Sequence, residues 1–254
     1  MNGFARIVVM GVCGVMIGCV PQKPQRKVTI EAPKLSCEDA NRLAYRAVTT
    51  LGQAAERYPD DSYTYVALGR VWLEKAATRG DRVDLSKALG ALQEAVGSDD
   101  SSEALMLFGR ALLLSQNVEA AETVLQQATE KLPVDPQAFY YFADAAERRG
   151  HAVAARRALL DYRALEGDDP DVRRRAAFAA RLADLSMQAD DPVRAVAWYQ
   201  RALDTTSADA PLLVKAAEAQ LRSGAPDAAR ATLEKALEKD PFNREARALL
   251  RRMK

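Results

Sequence analysis

The chain has 254 residues, 48% of them hydrophobic and 28% charged, enough for one or two ordinary domains or a single solenoid. Its 36 basic and 35 acidic residues leave a net charge of +1, and without the first eighteen residues, which hold only Arg6, the remainder is neutral. That balance excludes the basic face that nucleic acid demands, and the three cysteines, Cys13, Cys19 and Cys37, cannot build a disulfide framework.

The chain opens MNGFAR and continues IVVMGVCGVMIG. One positive charge followed by an apolar run too short to span a bilayer reads as a secretory signal over 1–18. The run ends in Met16-Ile17-Gly18-Cys19, which resembles the lipobox of bacterial lipoproteins, with Met16 where leucine is usual. The resemblance implies diacylglyceryl transfer to the Cys19 thiol, cleavage after Gly18 and acylation of the new amine. Two or three acyl chains anchor stably where one does not. Val20, rather than aspartate, follows Cys19. In enteric-type sorting that implies the periplasmic face of the outer membrane.

Residues 19–35 carry Pro21, Pro24 and Pro33, with Lys23, Arg26, Lys27 and Lys34 against Glu31. Prolines oppose helix, so the segment reads as a basic, extended tether reaching up to about 50 Å.

From residue 36 the chain reads as helical throughout. Residues 36–60 form one helix or half-repeat, closed by Tyr58-Pro59. Over 62–243 the same columns return at a spacing near 34 residues. One small column holds Gly69, Gly109, Ala143, Ala183 and Ala217; a second holds Ala88, Ala121, Ala155, Ala195 and Ala229. A third holds Ala95, Ala128, Ala202 and Ala236, but Tyr162 takes its place in the third unit. Small residues let paired helices approach closely, and larger ones overpack the crossing. Two irregularities stand out: extra residues around Ala77–Val83, and about six (Pro170–Arg175) between the third and fourth units. Residues 244–254 form a C-terminal cap, with Ala246, Leu249 and Leu250 inward and the arginines outward.

A helix–turn–helix period with these columns resembles the tetratricopeptide-repeat (TPR) family. The resemblance implies an all-α right-handed superhelix, an α-solenoid of about five repeats with capping helices. It also implies that the first helix of each unit lines a concave groove. On that geometry the groove carries Tyr63, Val66 and Arg70; Met106, Arg110 and Leu113; Tyr140 and Asp144; Asp184 and Met187; and Glu218. The apolar members should face the groove rather than another repeat. The column Arg70, Arg110, Asp144, Asp184, Glu218 should make the groove basic at one end and acidic at the other, a polarity able to orient a bound segment. The asparagine column of chaperone-carboxylate-binding TPR domains is occupied here by Arg70, Arg110 and Asp144, which departs from that mode.

An enzyme is not expected. His151, the only histidine, follows Gly150 in a turn, far from any nucleophile. Cys37 lies at the other end of the array, and no phosphate-cradling glycine motif or zinc spacing appears. The pairs Asp99-Asp100, Asp168-Asp169 and Asp190-Asp191 precede helices, where aspartate caps free amides. No cofactor, metal or small-molecule substrate is expected. The expected function is a membrane-tethered scaffold that binds a protein or peptide in an envelope assembly, resembling pilus-assembly lipoproteins or the TPR subunit of the outer-membrane insertion machine. The alternatives are a self-oligomerising envelope protein and an accessory subunit recruiting a cell-wall hydrolase.

Overall fold

A computed structural model describes residues 37–205 and 209–253. The signal segment, the 19–35 tether and Cys19 lie outside them. The described residues fold into twelve α-helices. Helix α1 (Cys37–Arg57) precedes five pairs: α2 (Ser62–Arg79) with α3 (Arg82–Ser98), α4 (Ser102–Leu114) with α5 (Val118–Glu130), α6 (Pro136–Arg148) with α7 (Ala152–Glu166), α8 (Val172–Gln188) with α9 (Pro192–Thr205), and α10 (Ala210–Arg222) with α11 (Pro226–Lys239). Helix α12 (Arg244–Arg252) closes the array.

The helix starts are written in the turns. Asp81, Ser101, Asn117, Asp135, Asp171, Asp209 and Asn243 each turn a side-chain oxygen onto a free amide of the following helix. Such a cap is worth about 1 kcal/mol. Ser102 joins three elements: its Oγ donates to the Ala128 carbonyl at 2.8 Å and accepts from the Asp135 amide at 2.9 Å.

All three small columns are buried. The second column, Ala88, Ala121, Ala155, Ala195 and Ala229, has no exposed surface. In the first column Gly69 and Gly109 allow the closest approach. A Cβ on Gly109 would sit 2.4 Å from Leu125 Cγ, and one on Gly69 2.5 Å from Leu92 Cγ. Leu73, Leu92, Leu125, Leu159, Leu182, Leu185 and Leu233 fill the spaces between, each fully buried. Burying one such side chain contributes about 1.5–3 kcal/mol.

Two expectations are corrected. The extra residues around Ala77–Val83, expected between the helices of the first unit, instead lengthen α2 and α3 to 18 and 17 residues, against 13 for α4 and α5. The reversal is confined to Gly80, whose left-handed φ of 68° ends α2, and to Asp81, which caps α3. Likewise only 167–171 is irregular between the third and fourth pairs. Val172 to Arg175 form the first turn of α8, because Asp171 accepts from the Arg173 and Arg174 amides at 2.8 and 2.9 Å and starts the helix early.

Candidate functional site

The first helices of the first three pairs lie side by side. Helix α2 touches α4 and α4 touches α6, whereas the second helices make no direct contact of that extent with one another. The array therefore closes toward its first-helix face over the first three pairs, and that closure buries side chains expected to stand open. Met106 is 7% exposed and Leu113 4%, both within an apolar cluster against which Val66 and Tyr141 pack. They are core rather than groove residues.

The remaining predicted residues lie at the surface or half-buried. Tyr63 is 81% exposed. Tyr140 is half-buried, its ring edge-on to Tyr141 at 5.6 Å and under the Arg181 guanidinium at 5.5 Å. Met187 is half-buried and Glu218 exposed.

The expected charge gradient is replaced by a row of ion pairs that link neighbouring first helices. Arg70 pairs with Glu103, and Arg110 with Glu74 at 2.5 Å. Asp144 meets Arg148 at 2.9 Å and Arg181 at 3.7 Å, while Arg181 also reaches Glu147 at 2.7 Å. Asp184 meets Lys215 at 2.9 Å and accepts from the Tyr199 hydroxyl at 2.5 Å. Burial is the largest influence on Arg110 and opposes its charge, but the bond to Glu74 and the charges of Tyr141 and Glu74 together outweigh it and raise the pKa. Burial, then the hydrogen bond to Asp184, pushes the Tyr199 phenol well above its ordinary range. The face is thus alternately charged and locally neutral along the row. The partners Arg181 and Lys215 were missed because each lies beside its expected groove column; opposite charge 37 residues after Asp144 and 31 after Asp184 is the signal that finds them.

Beside this row, between the third and fourth pairs, lies a cleft of about 1130 Å³. The ends of α7 and α8, the 167–171 segment and α9 form its walls, and Tyr140 reaches it from α6.

The candidate chemical groups are spent on structure. His151 Nδ1 lies 2.5 Å from Glu122 on the preceding pair. Asp99, Asp169 and Asp191 accept from the amides of Ser101, Asp171 and Arg194. Among the described residues no three histidine, cysteine or acidic side chains are grouped to hold a metal. No described helix is long and apolar enough to cross a membrane.

Two family models described as tetratricopeptide repeat match the chain, one over 76–136 and 106–171, the other over 186–253. This chain is built of tetratricopeptide repeats. Solved TPR structures share the fold. YrrB, a TPR protein with an unusual peptide-binding site, superimposes with a TM-score of 0.62 at 16% identity, over 79% of this chain and 97% of its own. PilF of Pseudomonas aeruginosa gives 0.55 at 17% identity over 84% and 91%, and MamA (41–end) of Desulfovibrio magneticus RS-1 gives 0.55 at 18% over 71% and 97%. At such identities the likeness is one of fold. No curated protein matches the chain. TPR arrays are generally scaffolds rather than catalysts, and the matching models indicate no catalytic family.

Proposed function

We propose that this TPR array is a membrane-tethered scaffold that holds a protein or peptide partner within a cell-envelope assembly, of the pilus, secretion or outer-membrane biogenesis type. The observation that carries the binding part is the first-helix face. It runs across every repeat and presents paired charges that hydrogen-bond laterally, with aromatic groups such as Tyr63 and Tyr140 among them. Solenoids use such extended faces to bind, and aromatic and arginine side chains are the groups that carry binding energy at interfaces. YrrB, which shares the fold, has a peptide-binding site. The tether rests on Met16-Ile17-Gly18-Cys19 and the basic, proline-bearing segment after it. With Val20 after Cys19, they support a position near the periplasmic face of the outer membrane.

The test is palmitate labelling with membrane fractionation, comparing wild type with Cys19→Ala, and crosslinking on the membrane fraction. The expected result is label and membrane retention lost on substitution, with discrete crosslinked partners in the wild type. Unlabelled soluble wild-type protein removes the tether and the envelope role with it.

A further inference from the structure

The cleft between the third and fourth repeats has a visible cause. Ala95, Ala128, Ala202 and Ala236 occupy one fully buried column, and the third repeat places Tyr162 there instead. The phenol ring cannot be enclosed where a methyl group fits. It stays half-buried, 5.4 Å from the Tyr140 ring and 6.3 Å from Phe178. Helices α7 and α8 accordingly pack more sparsely than α5 and α6 or α9 and α10. The resulting space, about 1130 Å³, exceeds the roughly 300–1,000 Å³ of ordinary ligand pockets.

One wall is held in place before any ligand arrives. Arg175 donates to the carbonyls of Asp169 and Pro170 at 2.7 and 3.1 Å, and Arg174 pairs with Asp169 at 2.8 Å. Fixing this wall lowers the ordering cost of binding.

The chemistry of the lining is aromatic and cationic together. The Trp198 ring lies under two guanidiniums, Arg163 at 5.1 Å and Arg201 at 4.5 Å, as Tyr140 lies under Arg181. A guanidinium stacked on a ring keeps its in-plane N–H edge available to a carboxylate. Among the described residues Arg163 pairs with one carboxylate, Asp168, at a long 3.9 Å. Arg175 forms no ion pair within 4 Å among the described residues: it donates to two loop carbonyls, and the Asp169 carboxylate attracts it from farther off. Glu166, Asp168 and Asp204 on the same rim repel a polyanion. A single acidic side chain accompanied by a ring satisfies both halves of the lining.

We infer that this inter-repeat cleft is a recognition site for a partner's peptide segment in which an aspartate or glutamate stands beside an aromatic residue. The carboxylate meets Arg163 and Arg175, and the ring lies among Tyr162, Phe178 and Trp198. This rests on the scaffold reading and adds to it a place and a partner chemistry.

The experiment uses the full-length chain in detergent, with Trp72→Phe so that Trp198 is the only tryptophan left of the two. The probe is a tryptophan-free random dodecapeptide library displayed on phage. The expected result is enrichment of peptides pairing Asp or Glu with Phe or Tyr. Synthetic copies should shift Trp198 emission and bind at least tenfold more weakly to Arg163→Gln/Arg175→Gln. Tyr162→Ala, which installs the residue the other repeats carry, keeps the fold and should lose the binding too. No enrichment, or enriched peptides that leave Trp198 emission unchanged or bind all variants equally, overturns the inference. Peptides silent at Trp198 yet sensitive to substitution at Arg110 would overturn the cleft while leaving the scaffold reading standing.

Discussion

The close crossing at Gly109 allows a test in which two damaging substitutions should partly repair each other. In Gly109→Ala the new methyl would lie 2.4 Å from Leu125 Cγ and 2.6 Å from Cδ2, inside any permitted contact. Helix propensity returns about 1 kcal/mol for replacing glycine, while overpacking a close crossing costs about 1–3 kcal/mol. The single variant should therefore lose between about 0 and 2 kcal/mol. Leu125 has no exposed surface, so Leu125→Ala should lose about 2.7–5 kcal/mol, its cavity included. In the double variant the atoms that oppose the new methyl are gone and the propensity gain remains. It should be more stable than Leu125→Ala alone by about 1 kcal/mol, with a favourable coupling of about 1–3 kcal/mol. Urea unfolding followed by circular dichroism measures this, fitted to a nearest-neighbour repeat model because an array of repeats need not unfold in one step. Additivity within about 0.5 kcal/mol would refute the reasoning, since it would mean the two side chains do not meet.

The ion-pair row and the cleft wall make further predictions. Arg110→Glu sets a carboxylate against Glu74 and should lower stability by about 1 kcal/mol. Adding Glu74→Arg should restore it, because the pair is rebuilt with its direction reversed. Membrane crosslinking on the exchanged pair then separates stability from recognition: partner capture should stay weakened, and capture equal to wild type would remove this pair from the binding face. Asp169 is held below the usual carboxylate range by its bond to Arg174, and Asp171 by the amides of Arg174 and Arg173. Their folded pKa values lie below the unfolded one, so their contribution is complete above about pH 4 and is lost as pH falls through the lowered values. Carboxyl NMR titration should place both midpoints below about 3.9, and midpoints at or above it would sink the account.

The repeat was legible because its columns depend on size alone. Gly69, Gly109 and the alanines are needed wherever two helices cross, whatever else the chain does. Helix starts were legible for a similar reason: Asp81, Asp135 and Asp171 act on amides two or three residues away. What the sequence did not disclose depends on distance between repeats. Met106 and Leu113 occupy the same kind of column as Tyr63, yet α2 and α6 close over α4 and bury them. Tyr63 lies toward the open end and stays 81% exposed. The charges of the first-helix column were visible one by one, but the pairing that neutralises them spans helices whose spacing no local pattern encodes. Tyr162 stood out as an exception to its column. That the exception opens a cleft follows only once α7, α8 and α9 are placed together.

Alanine supplies most of the buried apolar side chains between these helices. A methyl group has no rotamer to surrender on folding, which removes one entropic cost. It also has no rotamer into which to retreat. When a helix of this array is pushed, the alanine columns absorb none of the displacement by swivelling side chains, so more of it passes to the helices as rods. A load placed on one repeat should therefore travel along the array as small rigid rotations. The protein would behave as a train of coupled levers, in which the partner held at one place sets the tilt of helices well beyond its own contacts.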